Sequence, residues 1–186
     1  MENNQIKTAR LTKTVYKIPV KIRIVMKKVL IIGNGTIGSL MADLLHESKH
    51  YQVIIADKNP TRRKRPYQQI QLCINNCKEW EKINKIKNLT AVISALPWNC
   101  NKIIIDQAKK RQLHYFDLTE SEEIKSYAKQ QAQKNPLVLL PQCGIAPGLI
   151  NIITYDLIKK INNPTDIEIR VGALPQKYAP ESQLKY

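Results

Sequence analysis

The chain is poor in the residues that build metal and disulfide sites, with four cysteines and three histidines among 186 residues. Cys73, Cys77, Cys100 and Cys143 form no C-x-x-C pair, and three histidines leave little with which to complete a metal site. The expectation is reduced thiols in structural roles, no metal, and a cytoplasmic protein. No apolar run approaches the roughly 18 residues of a membrane span, so no membrane partner is expected. The amino terminus has no compact apolar segment followed by a small-residue cleavage site, which argues against a secretory signal. Internal repeats and low-complexity tracts are absent. Acidic residues are scarce, 15 against 30 Lys and Arg, giving a net charge of +15. Such a charge suits nucleic acid, and it also attracts the phosphates of a dinucleotide. The basic residues are spread along the chain, concentrated only from Lys7 to Lys28 and in Arg62-Arg63-Lys64-Arg65. Neither a recognition motif nor a cluster of stacking aromatics accompanies them, so they read as solvated faces without a nucleic-acid partner.

What is present is an alternation of strand and helix patterns. Residues 1–25 are basic and mixed and read as an extension ahead of a natural start at Met26. A transit peptide is the alternative, opposed by the absence of serine and the excess of Lys over Arg. Val29 to Ile32 is wholly apolar, as befits a strand buried on both faces. Ile37, Leu40, Met41, Leu44 and Leu45 follow at helical spacing and predict one apolar face. Further strands are expected at 52–56, 70–74, 90–95, 114–118 and 137–140, with helices at 77–86, 101–111 and 122–134 between them. The pattern predicts an α/β fold, a Rossmann-type doubly wound parallel sheet over residues 26–147. Residues 148–186 then read as the truncated beginning of a second, α+β domain. There a helix carries Ile150, Ile153, Leu157 and Ile161 on one face, and a half-exposed strand spans Ile167 to Val171.

The chemistry concentrates at Gly33-Asn34-Gly35-Thr36-Ile37-Gly38, a G-x-G-x-x-G that follows a buried strand and opens an amphipathic helix. Gly33 permits the tight turn, Gly35 clears space for a pyrophosphate, and Gly38 lets helix and strand pack closely. The helix amino terminus offers N–H groups and a positive dipole end to phosphate. Asp57, nineteen positions after Gly38, stands where a carboxylate accepts the adenosine ribose hydroxyls. It favours NAD, because it repels the 2′-phosphate of NADP. Arg62 and Arg63 stand nearby and keep NADP open. Ser94-Ala95-Leu96-Pro97 closes the fourth strand beside the switch point, where small residues let the chain run close to a cofactor. Asp117, at the end of the fifth strand, is a candidate for orienting a substrate nitrogen or taking a proton, or else it caps the turn near Thr119 and Ser121. Cys143 reads as a small buried side chain rather than a nucleophile, with no histidine nearby in sequence.

These motifs recur together in one family. The order is Gly33-x-Gly35-x-x-Gly38, Ala56-Asp57, Ser94-Ala95-Leu96-Pro97 and Tyr115-Phe116-Asp117. Gly144-Ile145-Ala146-Pro147-Gly148 and Val171-Gly172-Ala173-Leu174-Pro175 follow. Over residues 27–175 the chain resembles the saccharopine dehydrogenase family, which includes lysine 6-dehydrogenases and carboxynorspermidine or homospermidine enzymes. The resemblance implies a pyridine-nucleotide oxidoreductase acting on the C–N bond of a small amino-acid substrate. It also implies a handover between domains near Pro147 and Gly148, and a homodimer in the full-length form. Family members continue for about as many residues again, so the expectation is the N-terminal part of such an enzyme. The alternative is a catalytically inactive dinucleotide-binding module.

Overall fold

The computed structural model describes residues 26–59, 64–133 and 136–172. The expectations for residues 1–25, for Arg62 and Arg63, and for Ala173 onward lie outside the described residues. Six parallel strands form one sheet: β1 (Lys27–Ile32), β2 (Tyr51–Asp57), β3 (Gln68–Gln71), β4 (Leu89–Ser94), β5 (His114–Asp117) and β6 (Leu139–Leu140). Their spatial order is β3-β2-β1-β4-β5-β6. That order reverses direction between β1 and β4, the switch point of a doubly wound sheet. Among the described residues five α-helices accompany them: α1 (Thr36–Glu47), α2 (Glu81–Asn84), α3 (Asn101–Lys110), α4 (Glu122–Ala132) and α5 (Leu149–Ile158).

The central strands are apolar on both sides because both sides are covered. Leu30 and Ile32 of β1, Ile54 and Ala56 of β2, Val92 of β4 and Tyr115 of β5 face one side. There they meet Ile104, Ile105 and Ala108 of α3, Ile124 and Ala128 of α4, and Trp80. The alternate residues Ile31, Val53 and Ile55 face the other side and pack with Ala42 of α1 and with Tyr67. This second cluster is much smaller. Over β4 to β6 its side of the sheet is thinly covered among the described residues: Ile93, at the margin of this cluster, and Phe116 are half-buried and Leu140 is exposed.

Several expectations shift. The apolar stripe of α1 is divided: Gly38 and Ala42 are buried, Met41 and Leu45 half-buried, and Ile37, Leu40 and Leu44 exposed. Helical spacing groups residues on a face, but only the sheet beneath decides which of them are covered, and β1 and β2 reach only part of that face. The third strand is Gln68–Gln71 rather than 70–74; Leu72, whose N–H makes the last bond to β2 at Asp57 O (2.9 Å), is buried in the core just past its end. The helix expected at 77–86 is reduced to the single turn of α2. Bonds of the i to i+3 type, such as Glu79 N–H to Asn76 O and Ile83 N–H to Trp80 O at 3.0 Å each, carry the rest. This tighter winding still buries Trp80 and Ile83, and it is held by Trp80 Nε1–H donating to Ile74 O at 2.9 Å. Residues 167–171 form no strand and lie exposed, with no neighbouring strand among the described residues to pair with. Along α5 no residue is buried, so the face bearing Ile153 and Leu157 stands open.

Trp80 is the largest fully buried side chain, and the Arg111 guanidinium lies 5.1 Å above its ring while donating to its carbonyl oxygen at 3.1 Å. Truncation to alanine removes the ring, the indole hydrogen bond and the platform for Arg111. Trp80→Ala is expected to cost about 3–5 kcal/mol, read as a lower urea midpoint at unchanged slope.

Candidate functional site

The site forms where β1 leaves the sheet between its two neighbours. Gly33 N–H donates to Ala56 O and Ala95 N–H donates to Ile32 O, both at 2.8 Å, so the ladder persists to the last residue before the turn. Gly33 then adopts φ +109°, a left-handed conformation that favours glycine. A Cβ there would also meet Ala95 O at 2.8 Å. One turn later, a Cβ on Gly38 would overlap the Gly33 carbonyl oxygen and press on Ala95 Cβ at 3.2 Å. Gly33, Gly38 and the small Ala95 are therefore required by the chain's own packing. Gly35 is different: a Cβ there would meet nothing within 4 Å. The protein itself does not need glycine at this position, as fits a surface kept bare for a ligand.

Gly35 is also the N-cap of α1, and no side chain caps this helix. The first intrahelical bond runs from Ser39 N–H to Gly35 O at 2.9 Å. The preceding N–H groups of Thr36, Ile37 and Gly38 have no partner within the helix, the arrangement that receives a phosphate.

Asp57 lies at the carboxyl end of β2 and ties the loop to it. Its Oδ2 accepts the Asn34 N–H at 2.7 Å and its Oδ1 accepts the Asn59 N–H at 2.8 Å. Each oxygen keeps lone-pair capacity for a further donor. Beside it opens a cleft of about 670 Å³, lined by Ile32, Asp57, Lys58, Leu72, Ile74, Leu96, Pro97 and Trp98, among others. Its walls come from the carboxyl ends of β1, β2, β3 and β4, where ligands of open α/β sheets sit. A hollow of about 760 Å³ at the opposite end of β1 and β2, near Met26, His46 and Tyr67, is remote from the glycine loop.

Two members of the cleft were not singled out from sequence. Trp98, 54% exposed, presents its indole at the rim. Its signal was available, a tryptophan directly after the Pro97 that ends the fourth strand. Lys58 adjoins Asp57 and is exposed. Arg65, by contrast, turns away: its Nη1 donates to both carboxylate oxygens of Asp43 on α1, at 3.0 and 2.7 Å.

Ser94, Ala95, Leu96 and Pro97 continue from β4 past the glycine loop. Ser94 is buried, its Oγ donating to Asn101 Oδ1 at 2.7 Å and accepting from Leu96 N–H at 3.4 Å. Asp117 is fully buried. It accepts from Tyr115 OH at 2.6 Å, Asn101 Nδ2 at 2.9 Å, Thr119 N–H at 3.0 Å and Gln142 N–H at 3.2 Å. Burial pushes its carboxyl up from the usual range, and these four bonds pull against that shift. The same burial, together with the Asp117 bond and charge, raises the Tyr115 phenol. Cys143 is exposed rather than buried, because the turn after β6 carries it outward. Its thiol is nonetheless held up by desolvation and by the Asp117 charge, which keeps it a poor nucleophile.

The family model of the saccharopine dehydrogenase NADP binding domain matches residues 29–139. Among solved structures, apo saccharopine dehydrogenase (L-Glu forming) from Saccharomyces cerevisiae superposes with a TM-score of 0.60 at 16% identity. The match covers 72% of this chain and 31% of that one, so the chain spans about a third of the yeast protein. The holo form of the GalE-like L-threonine dehydrogenase from Cupriavidus necator gives 0.52 at 18% identity, over 61% of this chain and 53% of that one. A TrkA-N domain of an Escherichia coli inner membrane protein gives 0.52 at 14% identity, over 74% of this chain and 98% of that one. These likenesses establish the shared Rossmann-type fold. Among the described residues no helix is long and apolar enough to cross a membrane.

The glycines separate by what they touch, and so should their substitutions. Gly35→Ala is expected to cost less than about 1 kcal/mol in stability, as an N-cap change, while weakening dinucleotide binding. Gly38→Ala should lower the melting temperature and abolish binding together. Thermal melts paired with calorimetric titration of each variant read both effects.

Proposed function

The chain belongs to the saccharopine dehydrogenase NADP binding domain family, and from that premise we propose that it holds NAD for an oxidoreductase acting on the C–N bond of an amino-acid substrate. The observation that carries the reading is the bare Gly35 at the uncapped start of α1, beside a carboxylate fixed at the end of β2. The N–H groups of Thr36, Ile37 and Gly38 hold the pyrophosphate. Asp57, oriented by Asn34 N–H, accepts the adenosine ribose hydroxyls. Leu72, Ile74 and Trp98 form the apolar wall against the adenine. Ser94 to Pro97 run along the continuation of the crevice toward β5. Bound there, the nicotinamide supplies hydride transfer at the substrate carbon. The chain's own part is to bind, orient and exclude water. A small amino-acid substrate, a cytoplasmic setting and a homodimer complete this reading.

The preference for NAD over NADP rests on Asp57, whose negative charge opposes a 2′-phosphate. Lys58 beside it is the observation that favours NADP. A second reading, a dinucleotide-binding module without turnover, draws on the state of Asp117. As an acid or base in catalysis it would have to release one of four hydrogen bonds inside a fully buried site. Turnover of saccharopine or lysine with either cofactor separates the two readings.

Calorimetry with both cofactors is the direct test of the binding claim. NAD is expected to bind more tightly, and clearly tighter NADP binding overturns the preference. Asp57→Asn removes the repulsion and should narrow the gap between the two cofactors by about tenfold, near 1.4 kcal/mol. Trp98 is the exposed one of the two tryptophans, so ligand entry should quench the longer-wavelength emission, and Trp98→Phe should remove that signal.

A further inference from the structure

The buried carboxylate of Asp117 takes four hydrogen bonds and so joins its own stretch, Tyr115 to Thr119, to two distant ones. Through Oδ2 it accepts from Tyr115 OH on β5 and from Asn101 Nδ2 in the first turn of α3. Through Oδ1 it accepts from Thr119 N–H and from Gln142 N–H, beyond β6. Its own backbone carbonyl accepts the Cys143 N–H at 2.8 Å. Asn101, itself buried, passes the connection on, since its Oδ1 accepts from Ser94 Oγ, which in turn accepts from Leu96 N–H. This network ties the 95–97 segment after β4 and the 141–148 turn after β6 to the end of β5.

Only a carboxylate meets all four donors. An amide at this position offers one oxygen and turns an NH₂ group toward two N–H or O–H donors. Burying the charge carries a desolvation cost that its bonds must repay. An apolar residue would fill the space without that cost, but it would leave the four donors without an acceptor and the two segments untied. Those segments lie on the β4–β5–β6 side of the switch point, opposite Asp57. In a doubly wound sheet each half binds one mononucleotide of a dinucleotide. With the adenosine half at Asp57, the other half falls beside the segments that Asp117 secures.

We infer that Asp117 is a positioning residue for the nicotinamide half of the cofactor crevice, acting through Asn101 and Ser94 on the 95–97 segment and through Gln142 on the 141–148 turn. The inference rests on the dinucleotide reading above, and it gives Asp117 a role that touches neither substrate nor cofactor.

The test titrates the full chain with NAD and with ADP, which carries only the adenosine and pyrophosphate. Asp117→Asn is expected to weaken NAD by about tenfold or more, the worth of a charge-assisted hydrogen bond, while ADP affinity changes less than about twofold. Ser94→Ala cuts the relay but leaves the carboxylate in place, and should give a smaller loss with the same selectivity for NAD. A loss shared equally by NAD and ADP marks a purely structural residue and overturns the inference, as does unchanged affinity for both. If Asp117→Asn lacks the native circular dichroism spectrum, Tyr115→Phe, which removes one donor and keeps the charge, is read beside Ser94→Ala by the same criterion. Wild-type chain that binds neither NAD nor NADP sinks the cofactor reading and this inference with it. Wild-type binding with an unselective loss in the variants sinks the inference alone.

Discussion

Everything at the carboxyl edge of the sheet depends on how closely the chain passes itself at Gly33. β1 is the central strand, with β2 on one side and β4 on the other, and its last bonds reach Ala56 and Ala95. The next residue must turn in the left-handed region while a carbonyl from β4 lies against it. The helix that follows must then start directly above, so close that its third residue has no room for a Cβ. This crowding aims α1 at the crevice. Had a side chain stood at either position, the helix would sit farther out and its first N–H groups would point elsewhere. The bare Gly35 lies between these two obligatory glycines, and it alone of the three owes nothing to packing.

The two faces of the sheet are covered unequally, and this shapes the molecule around the site. α3, α4 and the turns around Trp80 close one face from β1 to β5. On the other, α1 covers β1 and β2 and reaches Ile93 of β4, leaving Phe116 and Leu140 with little above them among the described residues. Met41, Leu44 and Leu45 of α1 border the same region. The covered face holds the elements rigidly enough that strand ends become fixed points, which is what a loop-built binding site requires.

Two carboxylates stand at the carboxyl ends of β2 and β5, on either side of β1 and β4, and their environments differ. Asp57 is half-buried, holds two backbone N–H groups and keeps capacity for a ligand. Asp117 is sealed, its acceptor sites taken by the chain itself. Both stand at the carboxyl end of a strand, and in the sequence both look like candidates for chemistry. The difference lies in what surrounds them. Asn101, sixteen residues before Asp117, and Gln142, twenty-five residues after it, are brought there only by the packing of α3 and the return of the chain past β6.

The amino-acid sequence by itself determined the parallel α/β fold, the order of its strands along the chain through β6 and the glycine turn after β1, because these depend on local period and local sterics. A strand buried on both faces must be apolar throughout, and a turn with φ near +109° calls for glycine whatever lies farther along the chain. Only the tertiary structure decided which apolar residues are covered, why 77–86 winds as turns and why 167–171 forms no strand. It also decided that Arg65 pairs with Asp43, that Trp98 rims the cleft and that Asn101 reaches Asp117. Each of these is a choice of partner across the fold. Periodicity shows that a side chain needs a partner, but which partner it finds is set by the sheet order and the crossing of helices over it.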